Sequence, residues 1–211
     1  MMANALEEAT RRTQRYWYVD GLVEIGAGLV ILLLALFYLL IRDLFELTLG
    51  GVAVGIGQPA VVILGIWLAR KGIQRLKERL TYPRTGYVAY PRPGGKHRLI
   101  RMIALSIIVF FMAAGFVLLI RGLDQNWFPA ITGAEFCVII LYLGMRFALP
   151  RFYLQAFISL LAGLLTSYLH LSGFVAWAFF FALIGLGWTA SGGVTLWAYL
   201  RHTHPAGPED L

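Results

Sequence analysis

The sequence predicts an all-α polytopic membrane protein with six transmembrane helices. Six apolar stretches are each close to the length, about 20 residues, that a helix needs to cross a bilayer. Of the 211 residues, 59% are hydrophobic and 14% charged, against about 25% charged in a soluble domain. So little polar material cannot coat a soluble surface. Lys and Arg also gather at alternate ends of the apolar stretches, the pattern that sets membrane orientation.

Residues 1–16 are polar, and Asn4 with Glu7 three positions later forms a helix N-cap signal. Arg11, Arg12 and Arg15 precede Tyr16, Trp17 and Tyr18, and cations beside aromatics mark the membrane interface. The polar lead is too long for the start of a cleavable signal, so none is expected. Span one covers roughly 21–41, and a polar turn from Arg42 to Glu46 leads to span two at roughly 48–69. Span two carries Gly51, Gly55, Gly57 and Gln58-Pro59, which predict a kink.

A basic loop, 70–98, follows. Its first part has Ile73, Leu76 and Leu80 at helical spacing, as an extension of span two or as an amphipathic surface helix. Tyr82 to Tyr87 and Pro91 to Gly95 then carry the prolines and glycines of turns. Span three covers roughly 99–120, and Trp127 and Phe128 mark the next interface. Spans four to six cover roughly 130–149, 152–171 and 174–200. Pro150-Arg151 separates four from five. Ser172-Gly173 is so short a link that five and six should be antiparallel neighbours. With a short tail, 201–211, the whole chain forms one membrane domain with no room for a soluble one.

With six spans both termini share a side. That side holds 16 of the 18 Lys and Arg, leaving only Arg42 and Arg121 opposite. Both termini are therefore expected in the cytoplasm, in a plasma membrane of bacterial type. A faint repeat adds to this. Ala27-Gly28, Ala114-Gly115 and Ala162-Gly163 recur in odd spans, as three repeated αα-hairpins would produce. Shared preferences of helix ends explain the same pattern.

The net charge of +7 sits beside apolar spans rather than on a folded basic surface, which argues against nucleic acid. The single cysteine, Cys137, excludes an internal disulfide and a cysteine-based metal site. Gly94-Gly95-Lys96-His97 lacks the spacing of a phosphate loop, and Gly26-Ala27-Gly28 lacks the third glycine of a dinucleotide site. No zinc-protease helix or serine elbow is present. His170 is single, and His202 and His204 lie at the tail. The expectation is a non-enzyme with no cofactor and no metal.

Ionisable groups inside a membrane are functional candidates by default. Asp20 and Glu24 are four apart and share a helix face, as a cation or proton site or as partners of nearby arginines. Glu135 lies within span four among apolar neighbours, as a proton or cation site or as a partner of Arg42 or Arg121. Gln58 and Pro59 fall near the middle of span two, matched by Gly185, Gly187, Thr189, Ser191, Gly192 and Gly193 in span six. Such paired weak points mark transporter sites, or close packing through Gly51-x-x-x-Gly55 and Gly187-x-x-x-Ser191. In the loop, Arg75, Lys77, Arg79, Tyr82, Arg84 and Tyr87 combine cations with aromatics, as a site for anionic headgroups or a partner, or as a solvated loop.

Tyr16-Trp17-Tyr18-Val19-Asp20-Gly21, together with the stretch from Lys77 through Thr81-Tyr82-Pro83-Arg84 to Gly86-Tyr87-Val88, resembles a group of uncharacterised prokaryotic integral membrane proteins. The resemblance covers two short motifs and implies a small polytopic protein with no established activity.

Two functions fit these readings. One is an accessory or sensor component that docks a partner or anionic lipid through the basic loop. The other is a small transporter or channel with Glu24, Gln58 and Glu135 along a polar path. Thin, glycine-rich spans suggest a homo-oligomer or a complex with another membrane protein. Reporter fusions test the topology. A reporter that fluoresces only in the cytoplasm should be bright when joined after Arg201 and dark after Arg42. Equal signals at both sites would contradict the six-span reading.

Overall fold

The computed structural model describes residues 18–44, 47–82, 124–171 and 173–203. The chain divides into two compact units, Met1–Gly86 with Asn126–Leu211, and Tyr87–Gln125. The fold that follows is that of the first. The expected span three, at 99–120, lies outside the described residues.

Every described element is helical. Helix α1 is Leu22–Leu44 and α2 is Leu47–Leu76, continued by a π turn at Lys77–Thr81. A 3-10 turn, Gln125–Trp127, leads into α3, Phe128–Phe147. Helix α4 is Pro150–Tyr168 and α5 is Gly173–His202. Four of these are long and apolar enough to cross a membrane: Leu22–Arg42, Val52–Thr81, Gln125–Phe147 and Gly173–His202. The apolar window of α2 has only 6% of its residues buried, which is untenable in water and ordinary in lipid.

Sequence explains the breaks. Pro150 lacks an amide hydrogen and suits a first helical turn, and Ala148 just before it is left-handed with φ 52°. Gly173, with φ 61°, opens α5 after the short link from α4. Pro59, where a kink is expected, lies inside the continuous α2. The segment after Arg70 extends α2, which decides between the two readings of that stretch.

The closest helix pair is α1 against α5, with α3 against α4 next. Glycine sets both distances. A Cβ on Gly28 would strike the backbone of Thr189 at 2.6 Å, and one on Gly192 would meet the amide of Ile25 at 2.7 Å. Gly21, just before α1, and Gly28 within it face Gly192 and Gly185 of α5, each pair seven apart, so the helices run antiparallel with backbones in contact. Gly133 plays the same part for α3, where a Cβ would lie 2.7 Å from the Ser159 carbonyl. The two small-residue patterns picked from the sequence differ from each other. Gly55 faces open space, and Gly187 meets the side chain of Ile158.

Helix α4 is the polar one. Gln155, Ser159 and Thr166 are fully buried. Ser159 and Thr166 donate back to carbonyls four residues earlier, at 2.9 and 2.7 Å. Ser167 accepts from the amide of Ala130 at 3.1 Å and so satisfies one free donor in the first turn of α3. An aromatic core forms where the last third of α1 meets the first third of α5, with Tyr38, Trp177, Phe180 and Phe181 packed ring to ring.

Leucine at Gly28 or Gly185 should therefore part α1 from α5 and cost about 1–3 kcal/mol or more. Leucine at Gly55 should cost little. Thermal unfolding in detergent checks the ranking.

Candidate functional site

A cluster of buried charged and polar residues of the first unit lies at one end of the bundle. The start of α1, the π turn after α2, the turn between α3 and α4, and the last third of α5 meet there. The chain just before α1 is the hub. Gly21, with φ 71°, turns the backbone so that Asp20 points inward, and Asp20 caps α1 by accepting from the Leu22 amide at 3.2 Å.

Asp20 is fully buried and its second carboxylate oxygen faces α2. Lys77 Nζ lies 2.9 Å away and Thr81 Oγ1 donates to the same oxygen at 3.0 Å. Lys77 itself is only 3% exposed in its side chain, so this is a desolvated ion pair. Such pairs hold only when geometry and extra hydrogen bonds offset the loss of water. The π turn carries both Lys77 and Thr81 to that carboxylate.

Glu24, one turn further into α1, is also fully buried. Its Oε1 lies 2.5 Å from Arg151 Nε, at the start of α4. The N–H does not line up with the oxygen, so the contact is an ion pair rather than an aligned hydrogen bond. Ser191 of α5 donates to Oε2 at 3.4 Å. Arg151 also donates to the Tyr18 carbonyl. The Tyr18 ring packs on Phe147 and Phe152, with centroids 5.1 and 5.8 Å apart. Burial pushes the Tyr18 phenol above its ordinary value, and the Glu24 charge pushes it the same way. Gln155, one turn along α4 from Arg151, is fully buried and neither amide atom has a hydrogen-bond partner.

The residues singled out from sequence thus go to several places. Glu24 joins the charge cluster with Asp20. Lys77, read as a loop cation, turns inward to Asp20. Gln58 accepts from the Tyr38 hydroxyl at 2.8 Å, and Pro59 beside it is exposed. Glu135 is partly exposed on α3 and makes no hydrogen bond or ion pair among the described residues. Arg75 and Arg79 are exposed, as are Arg70 and Lys71, and Lys71 sits 3.8 Å over the Trp67 ring. Tyr82 is half-buried. Arg84 and Tyr87 lie outside the described residues. Among the described residues no three His, Cys, Asp or Glu side chains converge to hold a metal.

Sequence reasoning did not single out Thr81, Arg151, Ser191 or Gln155 as site residues. Arg151 and Gln155 did carry a signal, being a cation and an amide four apart at the start of an apolar run. Thr81 figured only in the loop motif and Ser191 only among the small residues of the last span, and neither pattern marks a partner for an acid.

Two measurements follow. Asp20→Asn alone should lower stability by about 3–5 kcal/mol because it strands a buried ammonium, and Lys77→Met on the same background should recover much of that. A double-mutant cycle by thermal unfolding reads the coupling. Gln155→Met, which removes an unpaired amide at similar volume, should leave stability unchanged or raise it by about 1 kcal/mol. No family model, curated protein or solved structure matches this chain.

Proposed function

We propose that this chain is a non-enzymatic accessory or sensor component of a prokaryotic plasma membrane, docking a partner or anionic headgroups through its basic cytoplasmic segment. One observation carries the reading. Inside the bundle each described acid of the cluster has its own cation, Asp20 with Lys77 and Glu24 with Arg151. Outside it, Arg70, Lys71, Arg75 and Arg79 remain exposed on the same stretch of chain. The inner charges hold structure, and the outer ones are available for an anionic surface. Lys77 lies between Arg75 and Arg79, so an event at the outer cations reaches Asp20 through one turn of helix. That continuity is what a sensor needs.

The same geometry supports the proposed topology. Helix α2 finishes at the charged end of the bundle, and α3 begins at the opposite end. That arrangement of the described ends agrees with the third span read from the sequence at 99–120. The charged end gathers the start of α1 and the last part of α5, in keeping with both termini in the cytoplasm. The threefold repeat has thinner support, since the tightest pairs, α1 with α5 and α3 with α4, belong to different hairpins. A transport path also has thinner support. Glu24 is bound by Arg151, and Gln58 is bound by Tyr38, about 21 Å further along α1. Glu135 stands on a third helix.

The test is gentle extraction of tagged protein followed by mass measurement of what stays bound. Charge reversal at Arg75, Arg79 and Arg84 should remove the bound partner or anionic lipid, and Glu135→Gln should not. Loss of flux in a reconstituted Glu135→Gln protein, with association intact after charge reversal, would overturn the reading.

A further inference from the structure

The strongest unassigned feature is a narrow apolar cavity of about 260 Å³ between α1 and α2. Leu22, Leu29 and Leu33 line one wall, and Leu68, Gly72 and Leu76 the other. It runs from Leu22 to Leu33 of α1, about 17 Å at the rise of an α-helix. One leaflet of hydrocarbon is about 15 Å deep, half the core of a bilayer. The cavity therefore matches the depth of one leaflet, and starts at the level where Asp20 and Lys77 meet.

Its walls open sideways. Leu29, Leu33, Leu68 and Leu76 are each between 43% and 56% exposed, so a chain can enter from the lipid without parting the helices. Two glycines make the room. Gly26 lets Ile73 pack against α1, and a Cβ on Gly72 would meet nothing within 4 Å.

The cavity's charged end is flanked by cations. Arg75 and Arg79 follow Gly72 and Leu76 by three residues each, and so share the stripe of α2 that forms the outer wall. Both are exposed. Lys77 is spent on Asp20, which leaves these two arginines as the positive groups on that stripe.

We infer that the groove between α1 and α2 is a site for one anionic phospholipid of the cytoplasmic leaflet. An acyl chain lies along Leu22 to Leu33, and the phosphate is clamped by Arg75 and Arg79. A guanidinium fork suits phosphate oxygens. This rests on the proposed docking role and names its ligand. Occupancy fills the existing gap between α1 and α2 beside the Asp20–Lys77 pair and holds their spacing there, so the lipid acts next to the same ion pair as the basic segment.

The test is native mass spectrometry of the full chain in detergent, titrated with dioleoyl phosphatidylglycerol and with the matching phosphatidylcholine. The native protein should retain one phosphatidylglycerol in preference to phosphatidylcholine. Arg75→Gln with Arg79→Gln should weaken this by about 25-fold, at about fivefold per arginine. Gly72→Leu places a side chain in the groove from a Cβ position with nothing within 4 Å, and should abolish retention while both arginines remain. On the native sequence, dihexanoyl phosphatidylglycerol should bind at least tenfold more weakly than the dioleoyl lipid, a comparison that needs no variant to fold. Undiminished retention by Gly72→Leu, or equal binding of short and long chains, overturns the groove while leaving docking through the arginines intact. Retention unaffected by loss of both arginines overturns the anionic site. The broader docking role is judged separately, by partner association after charge reversal.

Discussion

Two acids and one of their two cations are removed from water at one end of this bundle, and the arrangement of the described helices answers to that. Breaking such a pair by removing one member costs several kcal/mol, because it leaves a charge with neither solvent nor partner. Asp20 and Lys77 are both essentially unexposed, as is Glu24. The four residues come from three separate helices or their ends. Their pairing therefore fixes where α1 starts, how far α2 extends and how the start of α4 docks. The Tyr18 carbonyl, taken by Arg151, ties the preceding turn to the same point.

The glycine seam makes this possible. Ser191 reaches Glu24 because α5 lies against α1 with backbones touching at Gly21, Gly28, Gly185 and Gly192. A larger residue at any of these would move α5 outward and with it the hydroxyl. In a membrane such close approach is itself a main source of helix association, since lipid offers no hydrophobic drive to bring apolar helices together. Helix α2 is held differently. It touches α1 through Gly65 against Val30 and Gly57 against Phe37, and bonds to it through Gln58, yet most of its apolar surface faces outward. Lys77 and Thr81 anchor its far end. The far end of the helix that carries the exposed arginines is thus fastened through one buried carboxylate.

Much of this was legible in the sequence, for physical reasons. Lipid demands long apolar runs, and a helix that ends must show proline, glycine or charge, so the helical class and most breaks could be read from Pro150, Gly173 and the run from Gly21. Glu24 stood out because a carboxylate inside an apolar helix is costly. Its partner did not, because Arg151 is remote in sequence and looked like one more interface cation. Lys77 shows the limit most clearly. It lies among six other cations between Arg70 and Arg92, and nothing local distinguishes it from Arg75 or Arg79. Only the helical phase of α2 and its π turn send it inward. The packing glycines were legible only in part, for a related reason. A motif on one helix cannot say which neighbour it meets, so Gly51-x-x-x-Gly55 looked as good as the seven-residue pairs that do the packing.

The central claim is that Asp20 locks the end of α2 into the bundle. Hydrogen exchange on the native protein tests it most directly. The amides from Lys77 to Tyr82 should be protected as strongly as those at the start of α1, and Asp20→Asn should release them while leaving the middle of α5 unchanged. Fast exchange of that segment in the native protein, or protection that survives Asp20→Asn, would contradict the account.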